Sequence, residues 1–153
     1  LKLAGTVNGI VDLNANLGNF KTTLLGSGEI DITDGKFGSN AIMKAFAGVM
    51  KIALLGLAGN DRAQAIFSIE DEYITFSTLT ILASPIGVRG SGWINFNENL
   101  RLSVNAGPLE GFQESTGAFG RFLGNFTDMI LKYIVSGTTE DPHIAVAPLG
   151  IGS

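Results

Sequence analysis

The chain has 153 residues, no cysteine, one histidine, and ten Lys and Arg against fourteen Asp and Glu. That excludes a disulfide framework and a thiolate metal site. A formal charge of −4 without clustered cations excludes counterion-driven nucleic-acid binding, so no nucleic-acid partner is expected.

The length suits a single domain over residues 1–153. Only 16% of residues are charged and the mean hydropathy is +0.31, below and above a typical soluble domain respectively. Such a balance implies more apolar surface than one small core uses, to be covered by a hydrophobic ligand, a membrane or a neighbouring domain. The chain starts at Leu1, inside an alternating pattern and without a signal peptide, and is read as a piece of a longer or processed protein.

Residues 1–17 alternate: Leu1, Leu3, Val7, Val11 and Leu13 take one parity, and Lys2, Thr6, Asn8, Asp12 and Asn14 the other, with Ile10 out of place. Period two predicts one long bent strand or two short ones, with Gly5 and Gly9 marking a bulge or bend. A turn follows at 17–20, and Lys21 to Leu25 is predicted to start the next strand. Gly28 to Thr33 alternates again, and Asp34-Gly35 has hairpin-turn chemistry.

Ser39 or Asn40 then caps a helix over Ile42 to Leu57. On its wheel Ile42, Phe46, Val49 and Ala53 fall together, with Lys44 and Lys51 opposite, while Met43, Met50, Ile52, Leu54 and Leu57 carry apolar surface most of the way round. Residues 41–58 are just long enough to span a membrane. The two lysines and the immediate return to strand pattern argue against that.

Ala65, Phe67 and Ile69 begin a strand, Glu70-Asp71-Glu72 turns it, and Tyr73 to Ala83 returns. The returning strand holds Ile74, Phe76, Leu79, Ile81 and Leu82, which reads as apolar on both faces. Gly92 to Phe96 and Leu100 to Ala106 form a hairpin around Asn97-Glu98-Asn99. Gly107 to Ser115 is a loop. A second, conventionally amphipathic helix is predicted over Thr116 to Tyr133, then strands at 133–137 and 144–148. Gly26-Ser27-Gly28-x-Ile30-x-Ile32 aligns with Gly90-Ser91-Gly92-x-Ile94-x-Phe96, and duplication and repeated sheet grammar are both open. The fold class expected is α+β: an antiparallel, curved and twisted sheet of hairpins with two helices against it, with two pseudo-repeats as an option.

No catalytic residues, metal ligands or cofactors are expected. His143 has no Cys to share a metal with and follows Asp141-Pro142 in a turn. Ser27, Ser91 and Ser136 lie outside any nucleophile-elbow pattern, and neither Gly-Ser-Gly leads directly into a helix as a phosphate loop does. Glu70-Asp71-Glu72, even with Asp61 upstream, lacks the alternating oxygens of a calcium loop.

The order of these motifs resembles the C-terminal region of the AsmA-like family. Its pattern is matched by Gly26 to Ile32, Asp34-Gly35, the apolar helix from Ile42, Phe67 to Ile69, the acidic turn, Tyr73 to Ala83, Gly90 to Val104, and the ending Gly137-Thr138-Thr139-Glu140-Asp141-Pro142. The resemblance covers roughly residues 5–149. It implies a bacterial cell-envelope protein facing the periplasm, anchored through a segment not in this chain, whose curved sheets form an apolar groove for lipid acyl chains moving between membranes. The implied function is non-enzymatic lipid binding or transport. The alternative is an assembly module that binds an envelope partner, or the rest of a longer chain, through helix 42–57. Contact candidates for lipid or partner are Ile42, Met43, Phe46, Val49, Met50 and Leu54 on the helix, and Phe67, Ile69, Ile74 and Phe76 on the strands.

Overall fold

The structure, a computed structural model, describes residues 4–37, 40–50, 61–83, 86–108 and 131–147, with the backbone alone for Met50 and Pro108. Eight strands form one antiparallel sheet in strict chain order: β1 Thr6–Asn14, β2 Leu25–Gly35, β3 Asp61–Glu70, β4 Tyr73–Ala83, β5 Ile86–Asn95, β6 Asn99–Pro108, β7 Leu131–Thr138 and β8 Pro142–Val146. Two α-helices are described, α1 Phe20–Thr23, entered from a 3-10 turn at Leu17–Asn19, and α2 Ala41–Met50. The sheet is open, and β1 and β8 are its edges. Although α2 follows β2, it lies against β8 at the far end of the ladder. The sheet curls, and α2 lies within the curl. This is the expected α+β arrangement.

Several local expectations change. Residues 20–23 form a helical turn instead of starting a strand. Polar side chains close it: Thr23 Oγ1 donates to the Asn19 carbonyl at 2.7 Å and accepts from the Asn16 N–H at 2.9 Å, while Asn16 Oδ1 accepts from the Gly18 N–H. β1 pairs with β2 in unbroken register, so Gly9 marks close backbone approach and not a bulge. Asp34-Gly35 is no hairpin. Asp34 takes a positive φ of 54° in a bulge of β2, where the register with β3 shifts between Ile32 and Gly35. The chain then passes to α2, capped by Asn40, whose Oδ1 accepts from the Ile42 N–H at 2.9 Å. Asp61 fastens this junction, because its buried carboxylate accepts from the Phe37 N–H at 2.7 Å.

The acidic turn is a two-residue hairpin with Asp71 and Glu72 both at positive φ, as a type I′ turn requires. At the β5–β6 hairpin, Asn95 Oδ1 accepts from the N–H groups of Asn97 and Asn99. The expected helix over 116–133 lies mostly outside the described residues, but its last three residues, Leu131 to Tyr133, belong to β7. His143 is exposed within β8, paired with Ser136, and not in the turn.

The largest correction concerns β4. Its apolar residues change parity between Phe76 and Leu79, which the sequence suggests is burial on both faces. The register shifts there instead, with Ser77 and Thr78 set against Ser91 of β5. Ser77 Oγ donates to the Ile66 carbonyl at 3.2 Å. The extra residue turns Ile74, Phe76, Leu79, Ile81 and Ala83 all to one face, while Leu82, opposite Arg62 and Gly87, stays on the other.

Candidate functional site

With that bulge in place, the register sorts the whole sheet. Val7, Gly9, Val11 and Leu13 of β1 stand beside Gly26, Gly28, Ile30 and Ile32 of β2, and these beside Ala63, Ala65, Phe67 and Ile69 of β3. The same face continues through β4 to Ile86, Val88 and Ile94 of β5, then Leu100, Leu102, Val104 and Ala106 of β6, Tyr133 and Val135 of β7, and Ile144 and Val146 of β8. This inner face carries apolar or aromatic side chains and glycine from edge to edge, with Asp61 at its end, already engaged by the Phe37 N–H. The outer face carries Asn8, Asp12, Glu29, Asp31, Arg62, Gln64, Thr80, Arg89, Arg101, Asn105 and Lys132. An Arg62–Asp31 pair at 4.0 Å and a Gln64–Glu29 hydrogen bond at 3.2 Å decorate it.

The glycine pairs in the two Gly-Ser-Gly motifs lie on the inner face. Gly28 leaves room for the Phe67 ring, since a Cβ there would stand 3.0 Å from Phe67 Cζ. Gly92 lies opposite Phe76 at a positive φ of 146°. The motifs share this local role and do not head equivalent units. β2 leads to α2 and β5 leads straight to β6, so no structural repeat is seen among the described residues.

Between α2 and the inner face lies a hollow of about 170 Å³, lined by Ile30, Ile32, Phe37, Ile42, Met43, Phe46, Ala63, Ala65, Phe76, Leu79, Ile81, Val88, Ile94, Leu102 and Val104, with Asn40 and Gln64 as its polar neighbours. Of the sequence candidates, Ile42, Met43, Phe46 and Phe76 line it. Phe67, Ile69 and Ile74 lie on the same face, half-buried and outside the lining. Val49 is 43% exposed and points away from the core. Leu54 and the Met50 side chain lie outside the described residues.

The wheel placed the buried centre of α2 on Ile42, Phe46 and Val49. The structure buries Met43, Phe46 and Ala47, and exposes Lys44, Gly48 and Val49. A helix this rich in apolar residues has no single stripe to fix its rotation, and the fit of Phe46 edge-on to Tyr133, with centroids 5.6 Å apart, sets it. Sequence reasoning missed Leu79, Ile81, Val88, Leu102 and Val104 as site residues. Their signal was present as alternation within each strand, but their sharing of one hollow depends on register across five strands.

Burial pushes the Tyr133 hydroxyl above the ordinary tyrosine value of 10.0. The folded chain then keeps a proton that the unfolded chain releases near pH 10, so stability falls as pH rises through that range. Urea midpoints between pH 7 and 11 should fall more steeply for the native chain than for Tyr133→Phe. Parallel curves would contradict this.

Among the described residues no group of three or more His, Asp or Glu is placed to hold a metal ion, and no helix is long and apolar enough to cross a membrane. Compared with protein-family models, curated proteins and solved structures, the chain finds no match.

Proposed function

We propose that the chain is a lipid-binding groove segment of a bacterial envelope protein of the AsmA-like type, holding acyl chains against the inner face of its curled sheet as lipid passes between membranes. The observation that carries this reading is the unbroken apolar face across eight strands, backed by a mainly polar outer face. A surface with that division suits a ligand that is long, apolar and featureless, since it offers width and no directional hydrogen bonds. The hollow of about 170 Å³ under α2 adds a partly enclosed apolar recess. The order of sequence motifs supports the family, the envelope location and an anchor elsewhere in a longer chain.

The competing reading, a partner protein docked on helix 42–57, has less to work with over Ala41–Met50. There Met43, Phe46 and Ala47 face the chain's own sheet, and Val49 is the one large apolar side chain on α2 found exposed among those described.

A fluorescent fatty acid titrated into the full chain tests the lipid reading. Binding is expected, with extractable lipid in the purified protein by mass spectrometry. Ala65 is buried in the lining between Ile30 and Leu79. Ala65→Leu should fill the hollow and weaken binding of the probe about tenfold while the melting temperature holds or rises. A native chain that neither binds the probe nor carries lipid would rule the reading out.

A further inference from the structure

Within the curl α2 occupies apolar surface that an acyl chain would otherwise use. Its Met43, Phe46 and Ala47 form one buried cluster with Leu102 and Val104 of β6 and Tyr133 and Val135 of β7, and those four sheet residues are 4% exposed or less. On β2, β3 and β4 the same inner face is only half-buried, at Ile30, Phe67, Phe76 and Leu79. The helix covers part of the apolar face, and the hollow is what it leaves beside it.

That hollow, about 170 Å³, is near the size of a cavity that takes up one benzene, about 150 Å³. A membrane acyl chain is larger. It spans one leaflet, half of a hydrocarbon core of about 30 Å, and so is about 15 Å long. The ten residues of α2, at about 1.5 Å each, make a rod of about the same length.

The way α2 is held suits an exchangeable occupant. Lys44 is its one polar side chain, and it is exposed. Apolar contact therefore seats the helix. Such contact is non-directional, and an acyl chain supplies it equally. The polar anchor lies just ahead of the helix, where the Asp61 carboxylate holds the Phe37 N–H, so α2 can leave the sheet without loosening β2 or β3. Its outward side is also partly apolar, with Val49 43% exposed.

We propose, on the lipid-binding reading above, that α2 is a displaceable plug: it fills the acyl-chain seat of the empty groove and leaves it when lipid enters. The empty groove is thereby kept from exposing the apolar floor under the helix to water. Lipid binding competes with helix docking, so the affinity for lipid is scaled by the fraction of chains with α2 out. A weaker seat for the helix means tighter lipid binding.

Hydrogen exchange of the full native chain, with and without saturating oleate, tests the plug. The amides of residues 45–50 should exchange about tenfold faster or more with oleate bound, while those of β5 and β6 hold or slow. Phe46→Leu removes the edge-on contact with Tyr133 and should tighten binding of the fluorescent fatty acid about tenfold, although the melting temperature falls. A helix that serves as a fixed wall of the site gives the opposite signs. Slower or unchanged exchange at 45–50 on binding would overturn the plug and leave the lipid reading standing, as would weaker or unchanged binding by a folded Phe46→Leu chain. The exchange measurement needs only the native chain, so it decides even where the variant does not fold. A native chain that binds no fatty acid would overturn both readings.

Discussion

Phe46→Ala is expected to lower the stability of the chain by about 3–5 kcal/mol, a large share of the 5–15 kcal/mol typical of a whole domain. Phe46 is 1% exposed, lies in the lining under α2, and meets Tyr133 edge-on. Truncation removes a ring from close packing and enlarges a hollow that the sheet, held rigid by ladders on both sides, has little means of collapsing into. Part of the loss, about 0.5–1.5 kcal/mol, belongs to the ring pair itself. A double-mutant cycle of Phe46→Leu with Tyr133→Leu isolates it. Urea unfolding measures the total. A loss below about 1 kcal/mol would mean that α2 is not docked on the sheet as described.

Gly92→Ala is expected to be at least as damaging relative to the size of the change, costing about 3 kcal/mol for one methyl group. The residue sits at φ 146°, outside the range side chains tolerate well, and an added Cβ would collide with the Arg101 carbonyl and stand 2.7 Å from the Leu102 Cα. Both obstacles are backbone of β6, so the strands must part to admit it. Gly48 provides the opposite case. It lies exposed in α2 with open space around it. Gly48→Ala should therefore stabilise by about 0.5–1 kcal/mol through helix propensity alone. Thermal melts of the two variants should shift in opposite directions. A Gly92→Ala chain that melts with the native one would mean that β5 and β6 are not in the register described.

Much of the sheet was legible because alternation is a local signal. Leu100 to Ala106, Gly28 to Thr33 and the acidic hairpin all fall where their residue pattern puts them. Parity, however, says only which residues of one strand share a face. The bulge at Ser77-Thr78 breaks it, and no residue there has the glycine or proline that advertises a bulge. Asp34-Gly35 misled for a related reason. A left-handed Asp followed by Gly serves a bulge before a helix as well as it serves a hairpin. Tyr133 falls at the last position of the helix predicted over Thr116 to Tyr133. Its true neighbours are Val104 across the ladder and Phe46 above it, and neither is near it in sequence. The site was half legible for the same reason: its helix wall was visible as composition, and its floor exists only once five strands are in register.

The strict chain order of the ladder has a kinetic consequence. Each strand needs only its predecessor to pair with, so the sheet grows mostly by short loop closures, the steps with the least entropy to lose, with longer connections only from β2 to β3 and from β6 to β7. The contact between α2 and β8 is of another kind, since it spans most of the chain and has nothing to dock on until the last strand is laid down. Substitutions at the hairpins are therefore expected to act on the folding rate. Those at the helix's seat on the sheet should act on the rate of unfolding, which makes Phe46 and its neighbours the residues that set how long the folded chain lasts.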